Sequence, residues 1–147
     1  MILGDTCTRA CSYCNVKTGW PTSVDLAEPF RVASTVKQMG LNYTVITSVD
    51  RDDLPDYGSG IFEQTIKQVK RTTPDCKIEV LIPDFEGDYE SLERVVKAGP
   101  HVLNHNIETS RRVFRKVRPR GNYDISLELL KRVKQINPYM PDRQSVL

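Results

Sequence analysis

The sequence predicts an α/β fold built on a parallel sheet, and three observations predict it. Short runs of β-branched and aliphatic residues alternate with amphipathic segments of about ten residues, which is the pattern of βαβ units with right-handed crossovers. Proline, glycine, serine and aspartate fall at the joints, where capping and turn chemistry needs them. The polar clusters all follow the carboxyl ends of the strand candidates, the rim at which parallel α/β folds, open or closed, bind ligands. About four βα units are visible in the 147 residues, enough for one domain but short of the roughly 200 to 250 residues a barrel commonly needs.

The first strand candidate is residues 1–4, followed by a cysteine-rich loop. Pro29 suits the first turn of a helix carrying Val32, Val36 and Met39 on one face, with Gly40 as its C-cap. Residues 43–48 (YTVITS) make the second strand, and Ser59 is the expected cap of a helix with Phe62, Ile66 and Val69 inward, ended by Pro74. Residues 77–82 (KIEVLI) make the third strand. Asp88 caps the next helix, in which Leu92, Val95 and Val96 face inward, and Gly99-Pro100 stops it. Residues 101–107 (HVLNHNI) are the fourth strand, and Thr109 or Ser110 is expected to open a short helix through Val113, Phe114 and Val117. After Pro119 and Gly121, Asp124 is the expected cap of a last helix with Leu127, Leu130, Val133 and Ile136, closed by Asn137-Pro138. Residues 139–147 show no decisive pattern.

Lys+Arg at 21 against Asp+Glu at 19 leaves a formal charge of +2, which gives no general nucleic-acid surface. No window approaches the roughly 18 uninterrupted apolar residues of a membrane span, and no signal-peptide pattern opens the chain. The chain therefore reads as soluble and intracellular, with neither nucleic acid nor membrane as partner. Four cysteines, three clustered and Cys76 alone, suit a reducing compartment better than a secreted disulfide scaffold.

The cluster is Cys7-Thr-Arg-Ala-Cys11-Ser-Tyr-Cys14, with three and then two intervening residues. An odd number of thiols cannot be accounted for by paired disulfides. Iron–sulfur clusters take cysteine thiolates, and a cubane held by three keeps one iron for a non-protein ligand. A structural zinc site wants four protein ligands, and here the fourth would be remote: Cys76 lies at the opposite end of its strand, and of His101 and His105 only the latter is near the correct end. A redox pair at Cys11 and Cys14 would leave Cys7 unexplained.

The whole chain resembles a known family. The run Met1-Ile-Leu-Gly-Asp-Thr-Cys-Thr-Arg-Ala-Cys-Ser-Tyr-Cys-Asn-Val-Lys-Thr-Gly, then Val45-Ile-Thr-Ser-Val-Asp-Arg-Asp-Asp-Leu-Pro-Asp, then Ile78-Glu-Val-Leu-Ile-Pro-Asp-Phe, then Val102-Leu-Asn-His-Asn-Ile-Glu-Thr, closely resemble the lipoyl synthases of the radical S-adenosylmethionine (radical SAM) superfamily. The resemblance implies a partial parallel (βα) barrel of the radical SAM type. It implies a four-iron four-sulfur cluster on Cys7, Cys11 and Cys14, S-adenosylmethionine on the cluster's free iron, and reductive cleavage to methionine and a 5′-deoxyadenosyl radical. The implied reaction is sulfur insertion at C6 and C8 of an octanoyl chain on a lysine of a lipoyl carrier protein, with a second, auxiliary four-iron four-sulfur cluster as the sulfur source. No catalytic side chain beyond the cofactor sites is implied.

The same resemblance places Tyr13 against the adenine, counts Asn15 with the cofactor-binding residues, sets Ser48 and Asp50 at the methionine amino group, and lets Asn104 or Glu108 reach the ribose hydroxyls. Against this, residues 50–56 are acidic enough to be a solvated loop. His105 reads as a packing histidine and Cys76 as a bystander. The basic run Arg111, Arg112, Arg115, Lys116, Arg118 and Arg120 reads either as a solvated helix face or as a docking surface for an acidic carrier domain.

The implied partners are an octanoylated lipoyl carrier and a reductant such as a ferredoxin or flavodoxin. The implied location is the cytoplasm, or the mitochondrial matrix or plastid if the chain is eukaryotic. The family's auxiliary-cluster ligands have no counterpart in these residues, so the expectation is a central piece of a longer enzyme, inactive alone. Residues 1–138 would be a truncated radical SAM core, and 139–147 the start of the next βα unit or a disordered tail. The alternatives are another radical SAM enzyme, or a non-catalytic iron–sulfur or electron-transfer module.

Overall fold

The computed structural model describes residues 1–143. In chain order the elements are β1 (Thr6–Cys7), β2 (Lys17–Thr18), α1 (Glu28–Gln38), β3 (Tyr43–Thr47), α2 (Ser59–Thr72), β4 (Lys77–Leu81), a 3₁₀ turn (Phe85–Gly87), α3 (Tyr89–Ala98), β5 (Val102–Asn104), α4 (Phe114–Val117), α5 (Tyr123–Ile136) and β6 (Asp142–Arg143). The main sheet has the order β3-β4-β5-β6 and is parallel throughout. A separate parallel pair, β1-β2, frames the cysteine loop.

Parallel pairing puts register partners on the same face, so the sheet has two faces of different character. Ile46, Val80 and Leu103 align across three strands and are buried against the helices. Phe62, Ile66 and Val69 of α2, Val95 of α3 and Val133 of α5 all have no exposed surface in that layer, and each such side chain contributes about 1.5 to 3 kcal/mol by leaving water. The other face carries Val45, Glu79 and Val102 in one row and Thr47, Leu81 and Asn104 in the next. Here Tyr43 and Val45 are exposed, at 44% and 54%. Among the described residues no helix is long and apolar enough to cross a membrane.

Several joints differ from the sequence expectation, each for a local reason. Residues 1–4 form no regular strand: Ile2 makes a single parallel bridge to Ser48, and Leu3 and Gly4 turn away with φ of 70° and 93°. That turn buries the Leu3 side chain and lets its N–H donate to Glu28 Oε2 at 2.7 Å. The second, third and fourth strands end earlier than expected, at Thr47, Leu81 and Asn104, where the chain leaves the sheet to build the rim.

Ser59 does not cap α2; the N-cap is Gly58, at φ 83°. A Cβ there would lie 2.4 Å from Leu3 Cδ1, and the free N–H groups of Gly58 and Gly60 donate to the Asp56 carboxylate at 3.0 and 2.9 Å. Asn122, not Asp124, caps α5, its Oδ1 accepting from Asp124 and Ile125. The short fourth helix starts at Phe114 rather than at Thr109 or Ser110. Asp88 and Gly99 bound α3 as the sequence predicts. Of residues 139–147, 142–143 pair with β5, and 144–147 lie outside the described residues.

Candidate metal and cofactor site

The cysteine loop runs from the end of β1 to β2 and is closed by local bonds. Gly19 N–H donates to Cys7 O at 2.9 Å, and Cys14 N–H to Cys11 O at 3.1 Å, which turns the Cys11–Cys14 segment back on itself. Ser12 N–H reaches Val117 O at 2.9 Å, tying the loop to α4. Cys7, Cys11 and Cys14 are free thiols, graded from buried to exposed in that order. All three line one cleft of about 270 Å³ at the carboxyl ends of β3 to β5.

The thiols are not equivalent. Cys7 Sγ accepts the N–H groups of Asp50 at 3.3 Å and Arg9 at 3.4 Å. Burial nevertheless pushes its pKa above the ordinary thiol value, those two N–H groups only partly offsetting it. Burial also raises Cys11, and the Arg118 cation opposes the rise. Both thiols would give up their protons to a bound metal, which is stronger than either perturbation. Among the described residues no group of three His, Cys, Asp or Glu side chains surrounds a single-ion position; the cysteines border a cleft instead.

Ser48, Asp50, Glu108 and Tyr13 line the same cleft, so four of the six cofactor candidates meet the cysteines. Tyr13 O–H donates to Glu108 Oε1 at 2.9 Å across its mouth. Burial, the Cys11 charge and Glu108 together hold the phenol well above its ordinary pKa, so it remains a donor. Glu108 sits at φ 70°, a left-handed conformation that costs a non-glycine residue energy and occurs where surroundings impose it. Asn15 is exposed and is not among the lining residues. Asn104 is also outside the lining, on the open sheet face, with its Nδ2 donating to Glu79 Oε1 at 3.4 Å; Asn106 lines the cleft instead.

Among the described residues, three buried polar atoms of the lining have no hydrogen bond: Ser48 Oγ, Asp50 Oδ1, which has only a 3.4 Å ion pair to Arg9 Nε, and Arg118 Nε. Such groups are rare inside proteins, and at a cleft they fit a ligand that offers both a cation and an anion. Burial raises the Asp50 pKa, with Arg9 opposing it. Three thiols of the type that ligate iron–sulfur clusters, beside charged groups of both signs that each keep an atom without a hydrogen bond, make a donor set that fits a cluster with a zwitterionic ligand next to it.

The expectation that residues 50–56 are a solvated loop does not hold. Arg9, from inside the cysteine run, is buried between Asp52 and Asp84, and Arg51 is buried too, pairing with Asp53 at 2.8 Å and donating to Leu3 O and Ser23 O at 3.2 Å. The basic run likewise does not make one face. Arg118 is buried and donates to Asn106 O at 2.9 Å, Arg111 pairs with Asp124 at 2.7 Å, and Arg120 lies over the Trp20 ring, 3.4 Å from Thr8 O. Arg112, Arg115 and Lys116 remain exposed.

Arg9, Arg51 and Arg118 are thus the polar residues that sequence reasoning missed. The available signal for two of them was a lone arginine among cysteines and another among aspartates, each needing a partner to be buried. His105 is a packing histidine, as expected: Nδ1–H donates to Ile82 O at 2.9 Å and Nε2 accepts from the Ser126 hydroxyl at 3.0 Å. Cys76 is buried at the far end of β4. A second groove, of about 340 Å³, lies on the helical side between α3 and α5 and contains none of the cysteines.

Comparison with known proteins gives one family. The Radical SAM superfamily matches residues 1–139. The chain is 52% identical over all its 147 residues to the lipoyl synthase of Oceanobacillus iheyensis, spanning 47% of that protein, and 52% identical to that of Symbiobacterium thermophilum, spanning 46%. The chain therefore spans about half the length of these curated relatives. Among solved structures, methylornithine synthase (PylB) superposes with a TM-score of 0.65 at 16% identity, over 99% of this chain and 42% of its own. The hydrogenase maturase HydG from Carboxydothermus hydrogenoformans does so at 0.73 and 18%, over 99% of this chain and 34% of its own. At those identities the two structures speak to the partial parallel barrel alone.

Proposed function

Because this chain belongs to the radical SAM superfamily, we propose that its cleft holds a four-iron four-sulfur cluster on Cys7, Cys11 and Cys14 with S-adenosylmethionine beside it, and that it serves the lipoyl synthase reaction. The observation that carries this is the meeting in one cleft of three free thiols with Ser48, Asp50 and Arg118 atoms that have no hydrogen bond. Identity near one half to lipoyl synthases over the whole chain supports the choice within the superfamily. The proposed substrate is an octanoyl chain on a lipoyl carrier, receiving sulfur at C6 and C8. An auxiliary cluster as sulfur source, a ferredoxin- or flavodoxin-type reductant and a cytoplasmic location, as suits the bacterial relatives, belong to the same proposal. Residues 1–138 would form the core, and 142–143, paired with β5, would open the next βα unit.

The cluster, when bound and reduced, supplies the electron that splits the sulfonium. The chain's own side chains bind and orient. Asp50 and Ser48 accept from the ammonium of the methionine moiety, and Arg118 presents its free Nε–H to the carboxylate. Glu108, steadied by Tyr13, is better placed than Asn104 to accept from the ribose hydroxyls, and the Tyr13 ring closes the adenine side. The apolar lining of Val49, Leu81, Ile82 and Pro83 limits water at the reacting bond.

Anaerobic reconstitution with iron and sulfide, followed by paramagnetic resonance of the reduced cluster with and without S-adenosylmethionine, tests the reading. A perturbed spectrum and release of 5′-deoxyadenosine under reductant are expected. A cluster whose spectrum ignores S-adenosylmethionine would leave a non-catalytic iron–sulfur module in its place.

A further inference from the structure

Arg9 stands between the first two cysteines and borders the cleft, and its guanidinium is engaged in a buried knot of carboxylates. Its side chain is 2% exposed, and those of Asp52 and Asp84 are 5% and 2%. Nη1 and Nη2 donate end-on to Asp84 Oδ2 and Oδ1 at 2.9 and 2.7 Å. Nε and Nη2 donate side-on to Asp52 Oδ2 and Oδ1 at 3.0 and 2.8 Å. One planar fork thus grips two carboxylates at once, a geometry that an ammonium cannot reproduce.

The three residues come from three different loops: Arg9 from the cysteine loop, Asp52 from the loop after β3, and Asp84 from the loop after β4. The carboxylates are themselves anchored, Asp52 Oδ2 by the Thr8 hydroxyl at 2.9 Å and Asp84 Oδ1 by the Glu86 N–H at 3.0 Å. Burial would raise the Asp84 pKa, but Arg9 outweighs it and holds the carboxyl below its usual range, so the pair stays charged. The Arg9 N–H is also one of the two donors on Cys7 Sγ, and Asp50, the residue with the other, lies 3.4 Å from Arg9 Nε.

We propose that Arg9 is a positioning residue, a clasp that pins the cysteine loop to the rim of the sheet through Asp52 and Asp84 and thereby sets how Cys7 and Cys11 face the cleft. Arg9 touches neither thiol with its side chain and acts through the loop backbone. What the loop presents its thiols to rests on the cofactor reading above; the geometry of the loop does not, and is tested first without cofactor.

The experiment compares Arg9→Lys and Asp84→Asn with the parent chain, metal-free and reduced, by residue-resolved alkylation. Asn keeps an oxygen for the Glu86 N–H, and Lys keeps the charge, so neither removes more than the fork. The expected result is a rise in Cys7 alkylation of about tenfold or more, the size of losing one or two charge-assisted hydrogen bonds. The buried Cys76, at the other end of β4, should be unchanged, and the exposed Cys14 should stay fast. Unchanged Cys7 protection in both variants would overturn the clasp. A rise in Cys7 matched by an equal rise in Cys76 would also overturn it, since Arg9 would then support the whole fold rather than the loop.

After reconstitution, Arg9→Lys should also shift the midpoint potential of the cluster, because the two N–H donors on Cys7 are no longer held; an unchanged potential counts against the proposal. A parent chain that takes up no cluster would refute the cofactor reading and leave the alkylation result to decide the clasp.

Discussion

His105 offers a stability test in which the magnitude follows from its surroundings. The ring is 1% exposed and bonded on both sides, to Ile82 O and to the Ser126 hydroxyl. Burial pushes its pKa down from 6.5 to about 4; the Ile82 carbonyl and Asp84 oppose that push, and the Arg118 and Arg9 cations assist it. The unfolded chain therefore binds a proton between those two values that the folded chain refuses, and stability must fall with pH across that window. At about 1.36 kcal/mol per pKa unit the full effect is roughly 3 kcal/mol. Relative to pH 7.5, about 1.3 kcal/mol is lost by pH 5.5 and about 2.5 by pH 4.5. Asp84, held below its ordinary 3.8, contributes in the same sense only at lower pH, as that carboxyl is protonated. Urea denaturation of the metal-free, reduced chain at four pH values measures the slope, and His105→Gln, which keeps one donor and one acceptor, should flatten it. Asp50, whose pKa burial raises, gains stability as pH falls in both chains and so drops out of their comparison; equal slopes for the parent and the Gln variant between pH 7.5 and 5.5 would overturn the assignment to His105 and move the effect to His101, the other histidine whose pKa burial lowers.

Three further outcomes are expected. Arg118→Ala should weaken S-adenosylmethionine binding to the reconstituted chain by about tenfold to a hundredfold, the range for a hydrogen bond to a charged group, measured by titration of the cluster spectrum. Gly58→Ala should destabilise the fold by about 1 to 3 kcal/mol in urea denaturation, because φ is 83° and the new methyl meets Leu3 at 2.4 Å. Reversal of the exposed pair, Arg112→Glu with Arg115→Glu, should lower the affinity for an octanoylated carrier domain at low salt and lose that effect at high salt; equal affinity would dismiss docking at that surface.

How far each feature could be read beforehand depended on whether its cause was local. The helices α1, α3 and α5 and the strands β3 and β4 announce themselves because an apolar period is written in near neighbours, and α3 also carries its own caps at Asp88 and Gly99; in α5 the face turned inward is that of Leu129 and Val133 rather than Leu127. The cysteine spacing is equally local. Gly58 in place of Ser59 as cap was not legible, since it depends on Leu3, more than fifty residues away. The basic run misled for a related reason: a list of arginines shows charge but not direction, and Arg118 turns inward to the cleft while Arg111 finds Asp124 across the start of α5.

The parallel α/β class, the thiol loop and the rim on which the polar groups gather are legible in the chain, because periodicity, capping and ligand spacing are encoded in near neighbours. Folding alone selects which of those polar groups can meet a ligand and which are spent on one another. Residues 50–56 contain four aspartates; folding commits Asp52 to Arg9, Asp53 to Arg51 and Asp56 to Arg94 and the start of α2, and leaves Asp50 beside the cysteines with an oxygen that has no hydrogen bond and only a 3.4 Å ion pair to Arg9. That selection rests on Coulomb attraction over a few ångströms in a buried setting, between residues as far apart in the chain as Arg9 and Asp84.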